Sequence, residues 1–223
     1  MSLKELEHIQ HWIFDLDNTI YHAKYDLFKQ VSKRIGQYVA EALDLNPIEA
    51  QKIQKKYFYE YGTTLHGLMI NHQCDPEHFL SYVHDIDYSL LPYDDVLSRA
   101  LKKLPGQKYI FTNGSKEHAK KVLSQMYIED QFDDIFDIRI ANFIPKPASQ
   151  PYVEVLKKSR IDPSKALMVE DIAQNLRVPF ELGMVTVWVE EQDEDWSFTE
   201  DHDQYIHHRC NHLSDWLGKL CKL

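Results

Sequence analysis

Trp12-Ile13-Phe14-Asp15-Leu16-Asp17-Asn18-Thr19 is a short apolar run that ends in two aspartates, and its reading decides the fold. An apolar run of strand length with no polar alternation reads as a strand buried on both faces. The period-two geometry of a strand turns Leu16 back toward the core, so Asp15 and Asp17 share the opposite face at the carboxyl end. Two carboxylates about 4 Å apart repel by roughly 1 to 4 kcal/mol, for effective dielectrics between water and a protein surface. A divalent cation or a shared proton would relieve that repulsion. The same residue types also suit a plain strand end followed by a helix cap, so the stretch takes its meaning from its company.

Three other segments supply that company. Thr112-Asn113-Gly114-Ser115 ends the apolar run Tyr109-Ile110-Phe111. Lys146-Pro147 follows, after a short loop, a strand expected around Ile138 to Ile140. Glu170-Asp171 ends Ala166-Leu167-Met168-Val169. Each polar group falls at or soon after a strand exit. In an open parallel sheet wound with helices, ligands bind outside the carboxyl ends of the strands. The pattern therefore predicts an α/β fold with a doubly wound, mostly parallel sheet and one crevice where all four segments meet.

An acid pair, a hydroxyl beside a glycine, a lysine and a second acid pair, in that order, resemble the four motifs of the haloacid dehalogenase-like hydrolase superfamily. The resemblance implies a Rossmann-like core and phosphoryl transfer. Asp15 is then similar to the nucleophile that forms an aspartyl-phosphate, and Asp17 to the general acid and base. Thr112 and Asn113 would bind phosphoryl oxygens, with Gly114 turning the chain into a helix whose N-terminus favours an anion. Lys146 would be both catalytic and phosphate-binding, as fixed positive charge beside the transferring group, with Pro147 restricting it to extended geometry. Magnesium is the implied cofactor, held by the Asp15 carboxylate, the Asp17 backbone carbonyl and the Asp171 carboxylate. Glu170 is expected behind these ligands, steering a water or Lys146. No segment has the His or Cys spacing of a zinc site.

Two positions depart from the family pattern. Ile172 stands where a small hydroxyl residue often follows Asp171, which removes one hydrogen bond that would help orient the metal ligand. Val178-Pro179 replaces a small residue, and a proline beyond the first helical turn would cost about 3 kcal/mol. Pro179 therefore marks a late helix start.

At 223 residues and 43% hydrophobic, the chain can bury a full core and a smaller second unit. The longest apolar runs are of strand length and Met1 to His11 is polar, so no membrane span or secretory signal is expected. A cytoplasmic location is the default. Cys74, Cys210 and Cys221 are an odd number without paired spacing, which argues against a disulfide scaffold. A net charge of −10 disfavours polymeric nucleic acid as a partner. A monomer or weak homodimer is expected.

The core is expected over 1–20 and 93–223, interrupted by a helical cap over 21–92. Asn46-Pro47 with Glu49 signals a helix start, and Gly62 a stop, so one helix should run from Pro47 to about Tyr61. Asp75-Pro76-Glu77 repeats the start signal. Leu27, Val31, Ile35, Tyr38, Val39 and Ala42 follow helical spacing. Three or four cap helices result. Beyond the cap, a helix is expected through Leu97 and Leu101, a strand over Val185 to Val189 and a terminal helix around Leu213 to Leu220. The acidic stretch from Glu190 to Asp203, with Trp196 and Phe198, reads as a surface loop. His202, His207, His208 and His212 lack a helical metal-binding pattern and read as surface histidines.

The cap segments Tyr61-Gly62-Thr63-Thr64-Leu65-His66-Gly67-Leu68 and Tyr82-Val83-His84-Asp85-Ile86-Asp87-Tyr88 look like the pyrimidine 5'-nucleotidase branch of the superfamily. So do Phe14 to Tyr21 and Phe111-Thr112-Asn113-Gly114 followed by His118-Ala119. That similarity implies UMP or CMP as substrates. Tyr21, Tyr57 and Tyr61 offer stacking surfaces that do not choose among bases, and Thr63, Thr64 and His66 could hydrogen-bond a ribose or base edge. Tyr21, Thr64 and His66 are the expected substrate contacts. Other small esters such as pyridoxal phosphate or phosphoglycolate remain open, as do a sugar phosphomutase and a noncatalytic interaction protein.

Overall fold

The computed structural model describes residues 3–190 and 202–223. The loop expected over Glu190 to Asp203 lies almost entirely outside them. Six strands form one sheet: β1 (His11–Phe14), β2 (Gln107–Phe111), β3 (Asp134–Phe136), β4 (Ala166–Glu170), β5 (Val185–Val189) and β6 (His208–Cys210), in the order β3-β2-β1-β4-β5-β6. Every pair is parallel.

Strand β1 is buried between β2 and β4, with Phe14 opposite Ile110 on one side and Val169 on the other. The chain winds outward from β1 through β2 and β3, then returns to β4 and winds the other way. The order therefore reverses between β1 and β4, the place where doubly wound sheets open a crevice. Alternate residues feed two cores. Trp12, Phe14, Leu167 and Val169 pack on one face, under helices α5 (Asp95–Lys103), α6 (Lys116–Gln125) and α9 (Leu213–Leu220). Ile13, Tyr109, Phe111 and Met168 pack on the other, under α7 (Ser149–Ser159). Side chains of this size, fully buried, contribute roughly 1.5 to 3 kcal/mol each.

Between β1 and β2 lie α1 (Leu27–Leu43), α2 (Pro47–Tyr61), α3 (Thr64–His72) and α4 (Pro76–Val83). These cap helices enclose a third core around Val39, Tyr57, Leu68 and Phe79. Their starts follow the sequence signals. The Asn46 side chain accepts from the Ile48 and Glu49 amides at 3.1 Å each, and Gly62 ends α2 at φ 81°. The terminal helix and β5 also fall where expected.

One expectation is corrected, and two elements are placed more finely. The strand placed around Ile138 to Ile140 is a 3-10 turn over Ile138–Ala141, and β3 lies just before it. The Asp137 carboxylate accepts from the Arg139 amide at 3.2 Å, which favours a turn, and Ile138 packs into the cap core rather than the sheet. The helix expected through Leu97 and Leu101 runs over Asp95–Lys103, where the Asp94 side chain accepts from the Leu97 amide at 2.9 Å. Residues 208–210, to which the sequence assigned no element, form the edge strand β6. It is held from the side as well, since His207 Nδ1 accepts from the Thr186 amide at 3.1 Å. Pro179 is the third residue of the short helix α8 (Arg177–Glu181), inside a first turn whose amides need no helical partner.

Cys74, Cys210 and Cys221 are free thiols, and among the described residues no helix is long and apolar enough to cross a membrane. Gly106 turns the chain into β2 at φ 79°, where an added Cβ would stand 2.2 Å from the Gln10 carbonyl oxygen; Gly183 has a similar φ of 89° but nothing nearby. Gly106→Ala should therefore lower the unfolding free energy by about 2 to 4 kcal/mol and Gly183→Ala by about 1 kcal/mol. Urea unfolding of both variants checks this, and equal losses would contradict the steric account.

Candidate active site

Loops that leave the carboxyl ends of β1, β2 and β4, with one loop between β3 and α7, build a single polar cluster. Lys146 stands at its centre with only 1% of its surface exposed. Its ammonium donates to Asp15 Oδ1 at 2.7 Å, to the Phe111 carbonyl at 2.8 Å and to Glu170 Oε1 at 3.0 Å. An ammonium has three N–H donors, and all three are used. Its backbone is held as well. Asn113 Oδ1 accepts from the Lys146 amide at 2.9 Å, and Asn113 Nδ2 donates to the Lys146 carbonyl at 3.2 Å. The Lys146-Pro147 bond is cis.

Glu170 is also fully engaged. Its Oε1 accepts from Asn175 Nδ2 as well as from Lys146, and its Oε2 accepts from the Asp171 amide at 2.9 Å. Asp15, Glu170 and Asp171 carboxylate oxygens all lie within 4.8 Å of one another. Three carboxylates thus face one buried cation. Burial and then the Glu170 charge push Asp15 up to about 7, against the pull of Lys146. Burial, Glu170 and Asp15 likewise raise Asp171 well above the usual carboxylate range. Burial opposes the charge on Lys146, but Asp15 and Glu170 outweigh it and its pKa is raised.

This negative surplus fits a hard divalent cation, which oxygen donors alone can hold. The Glu170 oxygens are already occupied by protein donors, so Asp15 and Asp171 are the carboxylates with capacity for an ion. The Asp171 loop is anchored by Trp188, whose Nε1 donates to the Asp171 carbonyl at 2.7 Å.

Asp17 stands apart from the acid cluster. Its Oδ1 accepts from His118 Nε2 at 2.8 Å and from the Tyr21 hydroxyl. Burial alone would raise the Asp17 carboxyl, but the His118 charge and both hydrogen bonds lower it below its usual value. Asp15 and Asp17, two residues apart, are therefore pushed in opposite directions. The sequence placed Tyr21 on the substrate rather than on Asp17 and gave His118 no role. Only the placement of His118 in the first turn of α6, three residues after the Ser115 cap, hints that it faces the crevice.

The other expected residues divide. Thr112 is buried and its Oγ1 accepts from the Gly114 amide at 2.9 Å, leaving its own proton to donate. Tyr21 holds Asp17 as described. Thr64 lies inside the cap core, its hydroxyl donating to the Gln54 carbonyl at 3.1 Å. Tyr57 is buried beside His72. His66 lies at the cap-to-core boundary, with Nδ1 3.2 Å from the Phe143 carbonyl. It lines a cavity of about 360 Å³ with Tyr61, Pro145, Pro147, Ile172 and Gln174. Three of those wall residues are immediate neighbours of Lys146 and Asp171, so the cavity abuts the polar cluster.

The fold and this cluster define a haloacid dehalogenase-like hydrolase. The family model of that description matches residues 9–177, and the chain belongs to this family. A curated relative, Phosphate metabolism protein 8 of Saccharomyces cerevisiae, is 28% identical over 191 residues, covering 78% of this chain. The matched region spans 59% of that relative's length. Among solved structures, the Bacillus subtilis HAD-hydrolase YfnB, bound to magnesium, aligns with a TM-score of 0.61 at 17% identity, covering 95% of this chain and 98% of that one. A HAD phosphatase from Thermococcus onnurineus aligns with the same score and identity, covering 95% and 97%. L-2-haloacid dehalogenase from Xanthobacter autotrophicus follows at 0.57 and 15%, covering 94% and 97%.

His84, buried and stacked on His118 with ring centroids 4.2 Å apart, carries a cost that depends on pH. Burial and the His118 charge hold its pKa at about 3, against an ordinary 6.5. Below 6.5 the unfolded chain binds a proton there that the folded chain refuses, so stability falls as pH falls toward 3, by up to about 1.4 kcal/mol per pH unit. Replacing it with Asn keeps a polar atom near the Nδ1 position. Between about pH 7.5 and about pH 5.5, wild type should lose about 1 kcal/mol more stability than His84→Asn in urea unfolding. Parallel losses would refute a neutral buried His84.

Proposed function

We propose that this hydrolase is a magnesium-dependent phosphatase of small phosphate monoesters, working through an aspartyl-phosphate on Asp15, with pyrimidine nucleoside 5'-monophosphates as its substrates. The observation that carries the reading is the division of labour between the two aspartates. Asp15 sits in the cation-demanding cluster on Lys146, whereas Asp17 is held away from it by His118 and Tyr21.

In this reading Asp15 attacks phosphorus as the bond to the ester oxygen breaks, and Asp17 protonates the departing oxygen. Asp17, now basic, takes a proton from the water that cleaves the aspartyl-phosphate and so restores both aspartates. The Thr112 hydroxyl and the Asn113 backbone amide hold equatorial oxygens, and Lys146, its three donors engaged by Asp15, Phe111 and Glu170, supplies fixed charge beside them, where positioning and fixed charge account for most of the catalysis. Magnesium would be held by the Asp15 and Asp171 carboxylates and the Asp17 backbone carbonyl, and it supplies charge neutralisation on the phosphoryl group. Glu170 keeps Lys146 and the Asp171 backbone in place. The relative's name, a phosphate metabolism protein, agrees with phosphate chemistry. Dehalogenation would leave Asp17 without work, since carbon–halogen displacement needs no proton donor at that position.

For the leaving group, the cavity beside Lys146 and Asp171 is of the size small-molecule sites have. Tyr61 and His66 line it, a phenol ring for stacking and an imidazole for hydrogen bonding. The role proposed for Tyr21 is to hold Asp17, and for Thr64 to brace the cap.

Phosphate release from UMP, CMP, AMP, GMP, pyridoxal phosphate and phosphoglycolate tests this directly. UMP and CMP should lead, chelation should abolish turnover, and Asp15→Asn should lose on the order of 10⁴-fold or more with the fold intact. A non-nucleotide preference would remove the substrate assignment, and normal turnover by Asp15→Asn would remove the mechanism. Tyr61→Ala should raise the KM for UMP about fivefold, the lower end of what base stacking contributes, while leaving that for p-nitrophenyl phosphate unchanged. An equal change on both esters would show that Tyr61 does not meet the base.

A further inference from the structure

Asp17 is joined to a polar chain that crosses from cap to core. His118, with none of its surface exposed, places Nε2 2.8 Å from Asp17 Oδ1 and Nδ1 2.9 Å from the Tyr88 hydroxyl. Tyr88 also donates to the His84 carbonyl at 3.0 Å. The His84 ring lies nearly parallel to the His118 ring, at 10°, and its Nδ1 is 3.0 Å from Ser115 Oγ. Ser115 Oγ in turn accepts from the His118 amide at 3.2 Å. The imidazole is thus fixed at both nitrogens, across one face and through its own backbone. Little of this is needed to fill space, because an apolar ring would pack there without requiring partners for two buried nitrogens.

We propose that His118 is the positioning residue for Asp17: together with Tyr21 it pins Oδ1, so that Oδ2 faces the cleft as the oxygen that exchanges a proton with the leaving group. A carboxylate on a short side chain rotates freely unless one oxygen is held, and general acid catalysis requires hydrogen-bond reach to the departing oxygen. His118 and Tyr21 both contact Oδ1. Tyr88 and His84, from the segment that ends the cap, set the plane of the His118 ring. Orientation of the acid is thereby tied to the seating of the cap on the core.

This inference rests on the phosphatase reading, and the test separates the two. kcat/KM reports steps up to loss of the leaving group. An alkyl ester needs its departing oxygen protonated, whereas p-nitrophenolate leaves without help. The probes are p-nitrophenyl phosphate and UMP, assayed with magnesium on wild type, Asp17→Asn, His118→Ala, His118→Gln and Tyr88→Phe, with thermal melting to verify folding. His118→Ala should lose on the order of 100-fold more kcat/KM on UMP than on the aryl ester. His118→Gln, whose amide nitrogen can stand where Nε2 does, should recover most of that difference. Tyr88→Phe should show a smaller loss with the same bias, and it keeps the test open if His118→Ala does not fold. Equal losses on both esters, or no recovery with Gln, overturn the role of His118 alone. Full activity of Asp17→Asn on both esters overturns the acid role on which this inference builds, and absence of magnesium-dependent phosphate release from either ester by the wild type overturns the phosphatase reading itself.

Discussion

A single buried ammonium holds the crevice together. Lys146 reaches three acceptors that belong to three different strand exits: Asp15 after β1, Phe111 at the end of β2 and Glu170 at the end of β4. Burying a charge without such partners would be prohibitive, so the lysine is tolerated only where the sheet delivers all three. The converse also holds. Asp15 and Glu170, side by side at the switch point, are compatible with a folded state because this cation lies between them.

From that constraint the rest of the site follows. One ammonium does not balance three carboxylates, and the residual charge both raises Asp15 and Asp171 and prepares a place for a divalent ion. Asp17 escapes the same fate by turning away. Its donors, His118 and Tyr21, lower its carboxyl while the cluster raises its neighbour, the reverse of what a protonated acid and an ionised nucleophile need; a divalent ion on Asp15 and the negative charge of a substrate beside Asp17 would each push the pair the other way. The fold contributes the placement: β1 is central, its carboxyl end opens at the reversal of strand order, and the cap helices between β1 and β2 roof the opening.

Much of this was legible in the sequence because each core segment couples a hydrophobic strand to a polar exit. Asp15, Thr112, Lys146 and Asp171 are recognisable for that reason, as is the sheet that brings them together. Cap helices were legible through their ends, Asn46-Pro47 and Asp75-Pro76 being local signals. The remainder depends on contacts between distant residues. His84, Tyr88 and His118 carry no local pattern that announces a chain of hydrogen bonds to Asp17. Thr64 and His66 are two residues apart, yet one braces the cap interior and the other lines the cavity, a difference set by how α3 packs. Ile138 read as a strand residue because its apolarity is plain, while the turn imposed by Asp137 and the cap core that receives it are tertiary facts.

The central claim is that Asp15 becomes phosphorylated, and one trapping experiment addresses it. The magnesium-loaded Asp17→Asn variant, mixed with substrate and quenched in acid, is reduced with borohydride and digested for peptide mass spectrometry. The account predicts conversion of Asp15 to homoserine, dependent on substrate and on magnesium. Unmodified Asp15 beside released product, or reduction at a different carboxylate, would contradict it.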